Sequence, residues 1–367
     1  KDFDTGVALL ADVVARPTFP AKELERARLQ AIAEVKSRYD DPGALAELHA
    51  DYLLYGETDP YGDEPTARSL GSIRRDDLVE FHRKWIVPAG ATLAVAGDVD
   101  ASVFPKIEAA FAGWKPATQN ATAAPTPTPA PAAGLAAARP GLRIVDKPDL
   151  TQSFIAVALP GPPRRTADYF ALTALDAVVG NGFAARLTHI VRTQNGKTYD
   201  IEGSFRMRRR RGSYVVTTST RTAETAATVA LVTDELTALS RGTRPVTAAE
   251  LAQAKRSLIG SWPGQFESAD SWANVILSAR LFGVDLADYT DHRRRVGDVP
   301  LADANDAARR WLDPSNAVIV VVGNAADVKE PLEAKYGKAE VVSFLTPTHA
   351  IDARATTSRA REREKKR

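Results

Sequence analysis

The 367-residue chain contains no cysteine. That excludes disulfides and thiolate chemistry, although it names no compartment. Neither sign of charge is in excess: 48 basic and 46 acidic residues leave a net +2 at pH 7. No general attraction to nucleic acid or to a membrane surface follows. No apolar run is long enough to span a bilayer. Histidine is scarce: His49, His82, His189, His292 and His349 lie scattered and read as surface or packing residues rather than ligands. The first residue is Lys1 rather than methionine, and an amphipathic helix starts almost at once, so a fragment or a processed product is expected. What is present, 44% hydrophobic and 26% charged residues, is the composition of an ordinary globular protein with room for two or more domains.

The most informative stretch is Gly180 to Phe205, G-N-G-F-A-A-R-L-T-H-I-V-R-T-Q-N-G-K-T-Y-D-I-E-G-S-F. A Gly-Asn-Gly turn leads into a short helix whose apolar face is predicted to comprise Ala184, Leu187, Ile190 and Val191. Asn195-Gly196 ends that helix, because glycine takes the left-handed conformation that helix C-termini favour. Tyr199, Ile201 and Gly203 then alternate with polar residues as a strand. Arg192 thus sits in the last helical turn and Tyr199 opens the strand, seven residues on. A guanidinium and a phenol can donate hydrogen bonds from two sides to one carbonyl or peptide backbone. The plainer reading is an arginine favouring a helix C-terminus and a tyrosine half-buried in a sheet.

Along the chain, helices are predicted over Phe3–Val14, Ala21–Tyr39, Ala44–Tyr55 and Arg75–Trp85, then a strand from Ala91 to Ala96 and a helix ending near Trp114. Residues 116–141, rich in Ala, Pro and Thr, read as an extended linker. Beyond it come two strand-like runs between Leu142 and Pro160, a helix over Thr166–Val179, and a strand over Ser213–Ser219. A helix follows over Glu224–Leu239, then one opened by the capping box Thr247-x-x-Glu250, and a buried-type strand over Ala317–Val322. Arg206 to Arg211 holds five arginines and reads as an exposed hairpin end, a solvated charge run rather than a polyanion site. Residues 346–367 form a basic tail expected to be disordered.

A repeat is hidden in this order. W-I-V-P-A-G-A-T-L-A-V-A-G-D (Trp85–Asp98) returns as W-L-D-P-S-N-A-V-I-V-V-V-G-N (Trp311–Asn324), with Trp, Pro and Gly at a constant offset of 226 residues. Glu23-Leu24 returns as Glu250-Leu251. The expected organisation is therefore two copies of one α+β lobe, each an antiparallel-rich sheet packed with helices, over residues 1–115 and 142–345. Counterparts of the second copy's first strands, its helix and its Gly180–Phe205 unit are absent before Phe3. By repeat arithmetic about 80 residues of the first lobe are expected upstream.

With these residues in hand, the chain resembles the pitrilysin/insulysin/mitochondrial-processing-peptidase family of zinc peptidases from Phe3 to about Phe344, apart from the linker. F-P-A-K-E-L-E-R-A-R with A-E-V-K-S-R-Y-D-D-P looks like the family's helix after its zinc-site segment. H-A-D-Y-L-L-Y-G-E-T-D-P-Y-G through I-R-R-D-D-L looks like the loop and helix that follow, and G-N-G-F-A-A-R-L…V-R-T-Q-N-G-K-T-Y like the second lobe's arginine–tyrosine pair. The resemblance implies lobes arranged around a chamber and a zinc ion on an inverted H-x-x-E-H helix with a downstream glutamate as third ligand. The zinc-bound water would be activated by the motif's own Glu. It also implies that Arg192 and Tyr199 hold the substrate and the developing oxyanion.

No H-x-x-E-H occurs in these 367 residues, and the second lobe's equivalent helix, D-Y-F-A-L-T-A-L-D-A-V-V, carries no motif. Glu34 aligns with the ligand glutamate, one turn beyond Ala31, though the family often has an acidic residue where Ala27 stands. Two situations fit: a zinc peptidase whose start lies outside this sequence, or the zinc-less half of a longer or two-subunit enzyme, which is favoured. In both, the implied partners are a peptide or unfolded-protein substrate and a zinc-bearing lobe or subunit, with no nucleic acid and no membrane span. The chain alone is expected to be inactive. A third reading is a non-catalytic structural or peptide-binding subunit of the same fold. The proline-rich linker and lack of cysteine are compatible with a bacterial periplasm.

Overall fold

The computed structural model describes residues 2–115 and 138–348. Most of the expected linker, the tail beyond residue 348 and His349 lie outside the described residues. In chain order the helices are α1 (Phe3–Ala15), α2 (Ala21–Arg38), α3 (Pro42–Tyr55), α4 (Ala67–Ser72), α5 (Arg75–Trp85) and α6 (Val103–Phe111). Strands β1 (Gly141–Asp146) and β2 (Gln152–Gly161), helix α7 (Tyr169–Val179), a π-helix (Thr188–Gln194), and strands β3 (Ile201–Arg206) and β4 (Gly212–Arg221) follow. The chain continues through α8 (Thr225–Ser240), α9 (Ala248–Ser261), α10 (Ala269–Phe282), α11 (Ala287–Thr290), α12 (His292–Asp298) and α13 (Leu301–Trp311). It closes with β5 (Val318–Gly323), α14 (Ala325–Tyr336) and β6 (Glu340–Ser343).

Two compact units result. One takes in residues 2–36, 65–115 and 265–280, and among its described residues it is helical without a strand. Its helices are tied by side chains that satisfy backbone carbonyls: His82 contacts the Val14 carbonyl at 2.7 Å, and Arg75 donates to the carbonyls of Phe19 and Thr18 at 3.0 and 2.9 Å. The expected strand over Ala91–Ala96 is not formed here, although its sequence twin is β5. A strand's hydrogen bonds lie on its neighbours, and no neighbouring strand is present in this unit among the described residues.

The other unit, residues 37–64, 138–264 and 281–348, is built on a six-stranded mixed sheet of order β3-β4-β2-β5-β1-β6. The β3/β4, β4/β2 and β2/β5 pairs are antiparallel, and β5/β1 and β1/β6 are parallel. This is the expected α+β class with an antiparallel-rich sheet. The central strand β5, V-I-V-V-V-G, is buried along its whole length. A strand covered on both faces reads as a continuous apolar run rather than an alternation.

The pleat sends Ile319 and Val321 into one core, with Leu172, Leu175, Val232, Leu236 and Leu332 of the surrounding helices. It sends Val318, Val320 and Val322 into a second core under α3, with Leu45, Tyr52, Leu53 and Tyr55. Helix α3 starts where Asp41 accepts from the Gly43 and Ala44 amides with Pro42 at the first position, and it stops at Gly56 with φ +76°.

The five-arginine run corrects the expectation of a solvated hairpin end. Arg206 pairs with Glu47 (2.6 Å), Arg208 with Asp51 (2.9 Å), and Arg210 and Arg211 with Asp59 (3.3 and 3.0 Å). Arg208 and Arg211 also lie over the Tyr55 ring, and of the five only Arg209 is exposed. The run fastens α3 and the loop after it to the β3–β4 connection. Nothing in the local sequence shows this, because the acids lie about 150 residues upstream.

Candidate functional site

The site grows from one end of α7. Helix α7 ends at Gly180, whose backbone lies against β3: a Cβ there would stand 2.3 Å from the Gly203 carbonyl oxygen. Only glycine permits that approach. The Gly203 amide donates to the Gly180 carbonyl at 3.0 Å, and the Phe205 amide to the Asp176 carboxylate at 3.0 Å. Both amides lie on β3's outer edge, so the edge is capped by its own helix.

The next turn, Gly182 (φ +107°), accepts at its carbonyl from the Ala185 amide and the Thr188 hydroxyl, both at 3.1 Å. The helix then enters its π-helical stretch. Its buried face is Ala185, Leu187, Thr188 and Val191, with Ile190 partly buried. Ala184, expected on that face, is exposed, because the residues before Arg186 form the turn and not the helix.

Arg192 occupies the last turn, as expected. Tyr199 lies in the bend two residues before β3 rather than in the strand itself. The bend is fastened by β4: the Thr218 hydroxyl donates to the Asp200 carbonyl at 2.7 Å and the Thr220 hydroxyl to the Lys197 carbonyl at 2.6 Å. Lys197 in turn pairs with Glu224. The result brings Arg192 and Tyr199 together, with the guanidinium carbon 5.0 Å from the centre of the Tyr199 ring. Phe183, which the sequence reading passed over, lies at the same 5.0 Å from Arg192. Both residues are 84% exposed. The sequence signal for Phe183 was a large apolar side chain inside a glycine-rich turn.

Among the described residues Arg192 has no carboxylate or carbonyl partner, unlike Arg186 six residues earlier. Arg186 uses all five N–H donors: both Glu250 oxygens at 2.7 Å, Glu235 at 3.0 Å, and the Arg244 and Pro245 carbonyls at 2.8 and 2.7 Å. Glu250 belongs to the capping box of α9 read in the sequence: it accepts the Thr247 amide at 2.9 Å while Thr247 caps Glu250. One arginine therefore locks the helix in place, and the other is left with its donors free.

Beneath the turn, burial raises the Asp176 carboxyl from 3.8 to about 7, against the Phe205 amide, which lowers it. Between pH 4 and 7 the folded chain then holds a proton that the unfolded chain releases, so this residue's contribution to stability falls as pH rises and levels off above about 7. Asparagine keeps an oxygen for the Phe205 amide and carries no charge. Asp176→Asn is expected to gain about 1–2 kcal/mol on the parent at pH 8 and nothing near pH 4, read from urea unfolding at the two pH values. Equal gains at both would show that the carboxyl is not strained by burial.

The residues present do not fit a zinc ion. Among the described residues no group of three or more His, Cys, Asp or Glu could hold a metal. The buried His49 ring faces Arg143 at 3.3 Å, and burial with that charge lowers it to about 3. His82 contacts the Val14 carbonyl, His189 is exposed, and His292 stacks on Trp262 at 3.6 Å between ring centres. Glu34 is exposed on α2. No helix among the described residues is long and apolar enough to cross a membrane.

Sheet, helices and free arginine together define an α+β lobe with no metal centre among the described residues. The chain belongs to the peptidase M16 family: the sequence model of the peptidase M16 inactive domain matches residues 72–258, half of its length. It is similar to an uncharacterized zinc protease of Mycobacterium bovis, 25% identical over 353 residues, which cover 92% of this chain and 76% of the relative. A non-peptidase homolog of Helicobacter pylori is 22% identical, over 88% of this chain and 72% of its own. A crystal structure of a peptidase M16 inactive domain from Pseudomonas fluorescens superposes with a TM-score of 0.77 at 26% identity, covering 87% of this chain and 74% of that one.

Proposed function

We infer that this chain is the zinc-less half of an M16-type peptidase and supplies the side chains that hold a peptide against a zinc centre carried elsewhere. The observation that supports this most is the Arg192 guanidinium, unpaired among the described residues and 5.0 Å from the Tyr199 ring. A guanidinium offers five donors in a plane and a phenol one more. Aimed at one peptide carbonyl, they would stabilise the negative charge that develops on it. The implied partner is a lobe or subunit of the same family bearing H-x-x-E-H. Glu34 would join a metal site only beside such a helix.

In the assembled enzyme, Arg192→Ala is expected to lower kcat/KM about 10²–10³-fold and Tyr199→Phe about 10-fold or more, both without loss of folding. The purified chain alone should show no chelator-sensitive peptide cleavage, and its appearance would remove the need for a partner. A second reading, a non-catalytic subunit, draws on the relative from Helicobacter pylori that is called a non-peptidase homolog. Assembled-enzyme activity indifferent to both substitutions would favour it.

A further inference from the structure

We propose that Phe183 is a third member of this site, a positioning residue that holds the Arg192 guanidinium in its working orientation. The inference rests on the reading of Arg192 as a peptide-holding group. Other partly buried arginines of this unit are fixed by carboxylates: Arg186 by Glu235 and Glu250, Arg208 by Asp51, and Arg210 and Arg211 by Asp59. Arg192 has no such anchor among the described residues. Its side chain has several free torsions, and an unanchored guanidinium spreads over many rotamers. The contacts that restrain it are with two rings, Phe183 and Tyr199, at 5.0 Å each.

A ring attracts the cation through its face and leaves the in-plane N–H groups unused. A carboxylate in the same place would occupy those donors and cancel the charge. The rings therefore orient the guanidinium while keeping its donors for a ligand. Tyr199 has a hydroxyl of its own to offer a peptide. Phe183 has none, and so acts through Arg192.

The turn that carries Phe183 is built to hold still. Gly180 is locked onto Gly203, the Gly182 carbonyl accepts two hydrogen bonds, and Arg186 fixes the following residues with five. The fixed turn sets where the Phe183 side chain starts, and its ring, on a residue 84% exposed, meets the Arg192 guanidinium from there.

The test uses the full chain with ¹⁵N-labelled arginine. The Arg192 Nε–Hε signal should carry a ring-current shift that Phe183→Ala and Phe183→Leu both reduce and Phe183→Trp preserves. Leucine fills similar space without a π face, so preservation by leucine would overturn the proposal, as would an unchanged signal in Phe183→Ala. Affinity is read in parallel by anisotropy of a fluorescein-labelled, unfolded peptide of mixed sequence. Phe183→Ala should weaken it about two- to fivefold, Phe183→Trp should restore it, and Phe183→Ala added to Arg192→Ala should change nothing more. The same loss in the Arg192→Ala background would show that Phe183 acts on its own and would sink the inference while leaving the role of Arg192 intact. If Arg192→Ala alone leaves peptide affinity unchanged, the proposed function fails and this inference with it.

Discussion

Arg186→Ala is expected to destabilise the chain by about 3–5 kcal/mol. All five donors of the guanidinium are used, at 2.7 to 3.0 Å, across three stretches of chain. The damage is not the sum of five bonds, since each net bond contributes only about 1 kcal/mol. It comes from what is left behind. Glu235 is 1% exposed and, among the described residues, would keep only Arg244 as a cation, at 2.7 Å. Two backbone carbonyls would lose their donor as well.

Arg186→Lys keeps the charge but has three donors and no planar fork, so about half the loss is expected. Urea unfolding checks both, and an unchanged midpoint for the alanine variant would mean that the hub does not hold the helix. The acid limb should respond too. Burial alone would raise the Glu250 carboxyl, but Arg186 and Thr247 hold it down at about 2. Its contribution is present above pH 4.5 and is lost as pH falls toward 2. Without Arg186 that acid-side loss should shrink.

Asp59→Ala comes next, at about 2–4 kcal/mol. Its side chain is 3% exposed, it receives Arg210 and Arg211 at 3.3 and 3.0 Å, and it accepts the Tyr61 amide at 3.0 Å. Alanine would remove the buried carboxylate that two partly buried guanidinium groups face. Asparagine keeps the bond to Tyr61 but not the charge, so it should recover only a minor part. Because these charges are shielded from solvent, 1 M salt should rescue neither variant. Hydrogen exchange in α3 should quicken in both, since the same arginine run fastens that helix to the sheet. Protection as in the parent would restore the picture of a solvated charge run.

The sequence carried a good deal of this. Helices with their caps, the buried run of β5 and the box at Thr247 are local features, written in side-chain periodicity and in backbone preferences over a few residues. The repeat between Trp85–Asp98 and Trp311–Asn324 and the M16 resemblance needed only residue order. So did the seven-residue spacing of Arg192 and Tyr199, because a helix end followed by a bend returns the chain across a short distance.

Elsewhere local pattern did not decide the structure. Ala91–Ala96 matches β5 in pattern but has no ladder, because a strand depends on neighbours that its own residues do not supply. The five arginines looked solvated because charge patterning is blind to Glu47, Asp51 and Asp59, brought to them by α3. Phe183 and Arg186 lie three residues apart in one motif, yet one faces water beside a guanidinium unpaired among the described residues and the other bonds two carboxylates and two carbonyls. Residue order determined the helices, the family and the arginine–tyrosine spacing, since these rest on short-range geometry. Which arginines are spent on the fold and which stays unpaired among the described residues was decided by tertiary structure alone, because a charge finds its partner through space, and partners such as Glu235 and Glu250 lie tens of residues away in sequence.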